Sequence, residues 1–405
     1  GAQRAVLLQC PDCKRPVERI EEDNYFLVLA KHQAWLIQYI RDHKDFILPE
    51  TRRNEVLGFL ENNALQDLCI SRPKSRLSWG IQSPISENHV TYVWFDALIN
   101  YISACGYPNE KKMAEWWPAD VHIIGKDILR HHAVYWTLLL KALDLPLPKM
   151  IFAHGWWVQG GEKMSKSRGN VVDPIEVVNE YGVDPYRYFL LRETPFGEDG
   201  TFSEEALIKR FNIDLANDLG NLLSRSLTMC EKYFEGNIPE GDPLREFLGG
   251  LSFDDAQKPQ KAPKVQGNQV VYKTVVNMGL GIEDLLRNMP NNMNKLAFSD
   301  ALANIWSLIN KANKHIEDTA PWILAKQGKI EDLKIVIVSL CEVLRIIAQA
   351  IWPFMPTTGE RIWTQLGLSG KPDSVPFDGK WGFFEKGGKI AKGVPLFPRI
   401  EVKRS

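Results

Sequence analysis

Residues 121–157 read VHIIGKDILRHHAVYWTLLLKALDLPLPKMIFAHGWW. Two short apolar runs, Val121–Ile124 and Met150–Trp157, enclose an amphipathic stretch at Ile128–Leu143. Short strands that are apolar on both faces and separated by a helix are typical of a parallel sheet covered by helices on both sides. The segment therefore predicts an α/β fold.

The same alternation continues on either side of this segment. An apolar run at Val90–Phe95 precedes an amphipathic stretch at Ala97–Ala104, and a further helical pattern follows at Pro174–Tyr181. We therefore expect the α/β pattern to extend well beyond residues 121–157 in both directions.

The pattern changes after residue 200, where apolar residues recur every three or four positions. Ser203, followed by two acidic residues, is a helix start signal, and Gly236 is a stop signal. Three more stretches have the helical period, Gln269–Arg287, Asn294–Asp318 and Ile330–Ile351. The C-terminal half is therefore predicted to be a helix bundle. Residues 237–268 contain eight Gly or Pro and are expected to form a surface loop.

Composition places the chain in the ordinary globular range. Its 405 residues are 44% hydrophobic and 24% charged, and a net charge of −1 excludes a uniformly basic nucleic-acid binder. The six cysteines carry no secretory context and are expected to be reduced thiols in a cytoplasmic compartment, with an organelle left open. Polar residues interrupt the longest apolar stretch, so no membrane span is predicted.

Residues 160–170, GGEKMSKSRGN, are the most informative motif. Two lysines and an arginine beside glycines form a cationic arm suited to a polyphosphate, although a basic loop of this kind is often only a solvated surface. The string Lys-Met-Ser-Lys-Ser is, however, the signature of class I aminoacyl-tRNA synthetases.

Other motifs resemble those of the methionyl-tRNA synthetases and occur in the same order. They are Asn24–Phe26, Ile70–Lys74, Tyr92–Ala97, Ile124–Ile128, Ala153–Trp156, Lys163–Ser167, Asp218–Leu222 and Ala320–Trp322. The resemblance implies part of a Rossmann-like catalytic domain with a remnant of the connective peptide, and then a helix-bundle anticodon-binding domain. The implied limits are 1–75 for the remnant, 76–200 for the catalytic part, 201–370 for the bundle and 371–405 for a tail that packs back.

Trp94, Ala97 and Tyr101 lie at positions i, i+3 and i+7, on one helical face. Aromatic residues at this spacing usually pack in a core. The resemblance implies instead that they line the methionine side-chain pocket together with His154. An aromatic wall suits this ligand because a polarizable thioether makes favourable contacts with rings.

Gly125 and Asp127 follow a predicted strand, at the end of the sheet where α/β folds bind nucleotides. Alone, Gly-Lys-Asp is more often a turn. The resemblance assigns ATP binding, with Mg²⁺, to Gly125, Asp127, Lys163, Met164, Ser165, Lys166 and Ser167. It further implies that Arg72 acts near the α-phosphate or the carboxylate, and that Lys163 and Lys166 neutralise the leaving pyrophosphate.

Asn221 and Arg225 are four residues apart and share a helix face, which by itself indicates only solvent exposure. The resemblance implies that they recognise the CAU anticodon of tRNA(Met) together with Trp322. A base stacked on an indole is a common way for proteins to hold an unpaired RNA base.

Cys10 and Cys13 have the spacing of half a zinc knuckle. Tetrahedral Zn²⁺ needs four ligands, and the sequence offers no second pair, so a structural zinc site and two free thiols are both left open.

The first class I signature, His-x-Gly-His, does not occur among the eight histidines of the sequence. We therefore expect the chain to be part of a larger ATP-dependent methionine–tRNA ligase. Two alternatives remain: a non-catalytic tRNA-binding or assembly protein, which the missing signature favours, and another class I synthetase. The intact Lys-Met-Ser-Lys-Ser string argues against the first, and the Trp94, Tyr101 and His154 pocket against the second.

Overall fold

The structure is a computed structural model that describes residues 15–17, 21–164, 171–241 and 268–401. Contacts divide the chain into two compact units, Gly1–His154 and Gly155–Ser405. Residues 155–200 therefore group with the helical half, whereas the sequence placed a domain limit after residue 200. The functional domain limits stay predictions.

The described residues of the first unit form seven short strands and five α-helices. The strands are β1 (Phe26–Leu27), β2 (Ile47–Leu48), β3 (Leu68–Cys69), β4 (Ser71–Pro73), β5 (His89–Thr91), β6 (His122–Gly125) and β7 (Ile151–His154) among the described residues. The helices in the same part of the chain are α1 (Gln33–Asp42), α2 (Glu50–Asn62), α3 (Val93–Ala104), α4 (Glu110–Met113) and α5 (Thr137–Ala142). A π-helical segment, His131–Trp136, leads directly into α5.

A three-stranded parallel sheet in the order β2-β7-β6 is the centre of the first unit. Its buried residues pack against α1, α2 and the helical stretch that leads to α5. The β6–helix–β7 arrangement predicted from residues 121–157 is therefore confirmed.

The strand predicted at Val90–Phe95 is confirmed only at its start, where β5 covers His89–Thr91. Residues 93–104 are helical, and the shorter strand β5 pairs antiparallel with β4 outside the parallel sheet. A short apolar run cannot be assigned to strand or helix from its period alone. Here Leu98 and Ile102, four residues apart, are buried on one face, and Asp96 lies in the first turn, where a helix dipole favours an acid.

The second unit is mainly helical. Its described strands are β8 (Trp157–Gln159), β9 (Glu162–Lys163), β10 (Gly200–Thr201), β11 (Asn237–Ile238) and β12 (Gly388–Lys389). Its described helices are α6 (Pro174–Tyr181), α7 (Val183–Arg192), α8 (Glu204–Arg210), α9 (Asn221–Phe234), α10 (Gln269–Asn294), α11 (Phe298–Thr319), α12 (Pro321–Lys326), α13 (Ile330–Ile351) and α14 (Pro356–Gln365). A second π-helical segment, Phe211–Gly220, joins α8 to α9.

The predicted bundle is confirmed, and with it the fold class, α/β followed by all-α. The Ser203 hydroxyl caps α8 by accepting a hydrogen bond from the amide of Ala206 at 3.1 Å. Helix α13 has the predicted limits, and every residue from Val336 to Ile351 is buried, as expected of a central helix. Helix α10 continues past the predicted end at Arg287.

The C-terminal segment packs on the bundle of the second unit. Strand β12 pairs antiparallel with β11, and Phe384, Leu396 and Phe397 are buried in the main core. Residues 237 and 238 of the predicted loop are thus a strand, and residues 242–267 lie outside the described residues. Within the described part of the chain, no helix combines the length and apolarity needed to cross a membrane.

A buried polar network on α13 holds this segment. The Arg345 guanidinium lies 3.2 Å from the Glu342 carboxylate and donates to the side-chain oxygen of Gln349 at 3.1 Å. It also donates to the backbone carbonyl of Lys380 at 2.6 Å, and Glu342 accepts from the amide of Phe384 at 2.9 Å. These bonds satisfy charges that would otherwise be costly to bury.

Candidate functional site

Helix α3 presents the predicted pocket residues on one face. Trp94, Ala97 and Tyr101 are half-buried, whereas Leu98 and Ile102 lie buried in the core. Helix α3 is therefore fixed by its buried stripe, and the second face is left free to line a pocket.

Imidazole and indole side chains surround this face. The Trp94 ring stacks on His131 with a centroid distance of 4.0 Å, and the Tyr101 hydroxyl lies 2.8 Å from Nε2 of His132. Nδ1 of His132 faces the carbonyl of Ile128 at 3.1 Å. Because Nδ1 must donate to that carbonyl, Nε2 of the neutral ring accepts the Tyr101 proton.

The imidazoles of this cluster are uncharged at neutral pH. Burial lowers the pKa of His122 to about 4, with a further contribution from the neighbouring His132. Burial also lowers the pKa of His131 and of His132, and raises the pKa of Tyr101. The side chains around this face of α3 are therefore polarizable and neutral, which suits an uncharged ligand group with a weak acceptor.

His122, His131, His132 and Trp136 are not among the residues predicted from the sequence. The available signal was the His-His pair that follows the Gly-Lys-Asp-Ile string by two residues. Its members lie in the π-helical segment His131–Trp136, and such segments are frequent at functional sites. Their helical spacing had suggested only an amphipathic stretch.

His154 lies at the end of β7, where its Cα is the register partner of Gly125 on β6. It is half-buried. The strand pairing thus places His154 beside the predicted nucleotide residues, and its predicted role in the methionine pocket stays a prediction.

Gly125 and Asp127 lie together at the carboxyl end of β6. A Cβ atom at position 125 would lie only 2.6 Å from Oδ1 of Asp127, so any side chain there would displace this carboxylate. Asp127 belongs to a 3₁₀ turn, Lys126–Ile128. The carboxyl ends of parallel strands are where α/β sheets bind nucleotides.

Arg72 lies on β4 and is held from two sides. Its Nη1 donates to Sγ of Cys69 and to the carbonyl of Ser71, both at 3.1 Å, and its guanidinium lies 4.4 Å from the centre of the Tyr92 ring. Nη1 is thereby fixed, and the flat guanidinium has a defined orientation.

The Lys-Met-Ser-Lys-Ser segment begins on a β-hairpin. Gly160 and Gly161 both have positive φ, 59° and 80°, and form the two-residue turn between β8 and β9. Such turns need glycine because both positions are left-handed. The glycines predicted to flank a cationic arm are therefore hairpin residues. Met164 packs against Phe202 and its neighbours.

Three of the predicted ATP-binding residues, Ser165, Lys166 and Ser167, lie outside the described residues. Lys163 is the last residue of β9, with its Cα opposite Val158. Cys10 and Cys13 also lie outside, so the structure does not test the zinc prediction. Over residues 21–164, 171–241 and 268–401, no three His, Cys, Asp or Glu side chains are grouped as metal ligands would be.

In the second unit, Asn221 and Arg225 line one polar cavity of about 340 Å³. The π-helical segment and α11 supply its other walls. The additional lining residues are Asn217, Asp218, Asn310, Asn313, Lys314 and Glu317. The prediction that Asn221 and Arg225 act together is thus consistent with their position. Of the six other residues, Asp218 belongs to the motif Asp218–Leu222 but had no predicted role, Asn217 precedes that motif, and the remaining four come from α11.

Trp322 is the second residue of α12 and is 46% exposed. It follows Pro321, which is buried, and Ala320, which has a left-handed φ of 42°. The indole is therefore available for stacking, although Trp322 is not among the described residues that line the cavity.

Comparisons with known proteins agree on one family. The profile described as tRNA synthetases class I (M) matches residues 6–227, and that of the anticodon-binding domain of tRNA ligase matches residues 282–386. The methionine–tRNA ligase of Caldanaerobacter subterraneus is 46% identical over 98% of this chain, and that of Bacillus subtilis is 42% identical over 97%. The chain spans 58% and 55% of the length of these two relatives.

A solved structure gives the same result. Mycobacterium tuberculosis methionyl-tRNA synthetase in complex with methionyl-adenylate superposes with a TM-score of 0.80 at 36% identity, covering 96% of this chain and 72% of the other. The profile match covers more than half of the chain, and the order of motifs is that of the same family. The chain therefore belongs to the methionyl-tRNA synthetases, class I aminoacyl-tRNA synthetases.

Proposed function

We propose that the protein acts as an ATP-dependent methionine–tRNA ligase. It would join methionine to the AMP moiety of ATP with release of pyrophosphate, and then transfer the methionyl group from this adenylate to the 3′-terminal ribose of tRNA(Met) with release of AMP. The observation that carries the proposal is the 46% identity over 98% of the chain to a methionine–tRNA ligase. The corresponding compartment is the cytoplasm, where tRNA charging supports translation.

The cluster on α3 supports methionine as the amino acid. Trp94 and Tyr101 offer aromatic surface to a thioether, which gains favourable sulfur–ring contacts. His132 is held by Tyr101 and Ile128 and stays neutral, so the pocket does not attract charged side chains. We assign His131 and His132 to this pocket, beside the predicted His154.

Adenylate formation requires no protein nucleophile, because the methionine carboxylate itself attacks the α-phosphate. Catalysis then depends on positioning and on stabilising charge in the transition state. Gly125 and Asp127 would hold the nucleoside, and Arg72 would orient the carboxylate or the α-phosphate. Lys163 and Lys166 would neutralise the departing pyrophosphate, which carries the Mg²⁺ of the substrate. Structural Zn²⁺ at Cys10 and Cys13 stays a prediction.

The polar cavity of the second unit supports recognition of an RNA loop. Arg225 provides a donor fork for a base edge, Asn221 provides both a donor and an acceptor, and Trp322 provides a stacking surface. The tRNA predicted from these residues is tRNA(Met), with the anticodon CAU.

The test is methionine-dependent exchange between ATP and labelled pyrophosphate, measured on the intact protein. We expect Lys166→Ala to lower the exchange rate by about a hundredfold or more, the scale of removing one charge that stabilises a phosphoryl transition state. Lys31→Ala, at an exposed lysine of the first unit, is the matched control and should leave the rate unchanged.

Two results would count against the proposal. An unchanged rate in Lys166→Ala would remove the assigned role of this lysine. Absence of exchange in the wild type, together with tight binding of a CAU stem-loop, would favour the non-catalytic tRNA-binding protein.

A further inference from the structure

Two opposite charges line the polar cavity without pairing. Asp218, near the end of the π-helical segment, and Arg225, one turn into α9, are both half-buried lining residues. Within residues 171–241 and 268–401, neither side chain makes a hydrogen bond or an ion pair. Partly buried charges are normally matched by a partner, so both groups are available to a ligand that enters the cavity.

The other charged groups of the cavity are already engaged or solvated. Lys314 pairs with Asp318 at 3.0 Å, and Glu317 is exposed. The backbone below Asp218 is fixed, because Nδ2 of Asn313 donates to the Asp218 carbonyl at 3.0 Å. Asp218 and Arg225 therefore offer an acceptor and a donor fork to the same cavity, from the two helical stretches that meet at Gly220.

A carboxylate acceptor beside a guanidinium donor can distinguish the four bases by their pairing edges. Cytosine presents an amino donor, a ring-nitrogen acceptor and a carbonyl acceptor along its pairing edge. One carboxylate acceptor and a two-pronged guanidinium donor match these three groups. Uracil places a carbonyl where cytosine has its amino group, so a carboxylate would face another acceptor. Adenine lacks the carbonyl that the second prong would reach.

We propose that the Asp218 carboxylate is a specificity-determining residue that accepts a hydrogen bond from the amino group of the anticodon cytosine while Arg225 binds the rest of its edge. The inference rests on the proposed function, in which this cavity receives the CAU anticodon. Asp218 would discriminate against uracil because its carboxylate and the uracil carbonyl are both acceptors and repel each other. Specificity of this kind depends on a repulsive contact with the wrong base as well as an attractive contact with the right one.

The surroundings of Asp218 make this discrimination dependent on pH. Burial, together with the charge of Asp214, raises the pKa of the Asp218 carboxyl to about 6. The other charged groups that line the same cavity are Arg225 on α9 and Lys314 and Glu317 on α11. Above this pKa the group only accepts. Below it the neutral carboxyl can donate to the uracil carbonyl, so preference for cytosine should fall on acidification.

The test is fluorescence anisotropy of the full chain with anticodon stem-loops that differ only in the first anticodon base, CAU and UAU. We expect the wild type to prefer CAU. In Asp218→Asn the amide can turn its donor to uracil, and the CAU-to-UAU preference should fall by about tenfold, the scale of one charge-assisted hydrogen bond. Asp218→Glu keeps the acceptor and should retain more of the preference.

Asp284→Asn is the matched control, because it removes the same charge from an exposed site of the bundle. It should change binding of both stem-loops equally, as a general effect on RNA phosphates. If Asp218→Asn changes the affinity for both stem-loops equally, the CAU-to-UAU preference is unchanged and the inference is overturned. Thermal unfolding of each variant shows that it is folded.

The controls also separate this inference from the proposed function. A wild type that binds CAU no better than UAU, or an Arg225→Ala variant with full affinity, would contradict the anticodon site itself. The direct contact would be supported if the wild type prefers CAU at neutral pH and loses that preference at about pH 5.5, whereas the preference of Asp218→Asn does not change with pH.

Discussion

The hydrogen bond between Tyr101 and His132 is the best-defined contact of the predicted methionine pocket. In Tyr101→Phe, Nε2 of the largely buried His132 would lose its donor. An unmatched buried polar group costs about 1–3 kcal/mol. We therefore expect the KM for methionine to rise by about tenfold in the exchange assay, with less effect on the turnover rate.

Tyr107→Phe is the control for this prediction, because Tyr107 is 40% exposed. It should leave the KM for methionine unchanged. An unaltered KM in Tyr101→Phe would show that the hydroxyl does not hold His132 in a binding orientation.

At the residue scale, the sequence predicted a shared face but not its partners. Trp94, Ala97 and Tyr101 follow from helical spacing together with family resemblance. His131 and His132 could not be found in the same way, because their approach to α3 depends on how a π-helical segment turns its side chains. Asp218 belongs to a motif recognised in the sequence, but its place in a cavity could not be predicted, because its neighbour Asn313 lies on α11, far along the chain.

Helices α10 and α11 share a buried polar contact at His315. Its Nδ1 lies 2.7 Å from the Thr274 hydroxyl, which itself donates to the carbonyl of Val270. Burial lowers the pKa of His315 to about 3. The ring is therefore neutral in the folded bundle and would be protonated on unfolding once the pH falls below its ordinary value.

The low pKa of His315 in the folded bundle determines how the free energy of unfolding changes with pH. The stability associated with neutral His315 is complete above pH 6.5 and is lost as the pH falls towards about 3. Between pH 6.5 and about 5 the free energy of unfolding should fall by about 2 kcal/mol through this group. Urea unfolding of wild type and His315→Gln, at both pH values, measures it.

His315→Gln should be less stable at neutral pH, because the new amide does not reproduce the packing and the Thr274 contact of the imidazole, but its stability should fall less on acidification. Equal pH slopes for the two proteins would show that His315 does not titrate on unfolding. Other groups contribute equally to both proteins and cancel in the comparison.

At the element scale, helix limits were predictable where a local signal exists. Ser203 caps α8 as its hydroxyl chemistry requires, and α13 begins and ends where its apolar period does. The start of α3 was wrong, because an apolar run has no distinct period. The π-helical segments were not predicted, since a single wide turn changes few positions of the hydrophobic pattern.

The two units have separate cores, and the C-terminal segment completes that of the second. Its attachment depends on Arg345 and Glu342, which are fully buried within α13. Removing one member of a buried ion pair leaves an unmatched charge, a loss of about 3–5 kcal/mol. We therefore expect Glu342→Gln to lower the free energy of unfolding of the bundle by roughly this amount, as measured in urea.

A double variant, Glu342→Gln with Arg345→Met, tests the cause. It should lose less than the sum of the two single variants, because no buried charge remains unmatched. Additive losses would indicate that packing, rather than charge, dominates at these positions. Limited proteolysis should cut within residues 371–401 of Glu342→Gln before it cuts the wild type.

At the scale of the whole molecule, the order of motifs predicted the two-part fold, but the compact units could not be read from sequence. The limit after His154 depends on the pairing of β8 with β10, and β10 lies about forty residues after β8 in the chain. No local sequence pattern predicts such a contact. The position of the C-terminal segment was unpredictable for the same reason, because β12 pairs with β11, which lies far earlier in the chain.

The π-helical segment at residues 211–220 has a consequence for how the family can change in length. A π-turn holds more residues than an α-turn, so a residue gained or lost there is absorbed by converting one kind of turn into the other. The helices on either side then keep the same side chains directed towards the core. A deletion inside α9 would instead rotate everything beyond it by about 100°. Insertions and deletions among relatives should therefore concentrate in this segment, and an alignment of the helix should place its gaps there.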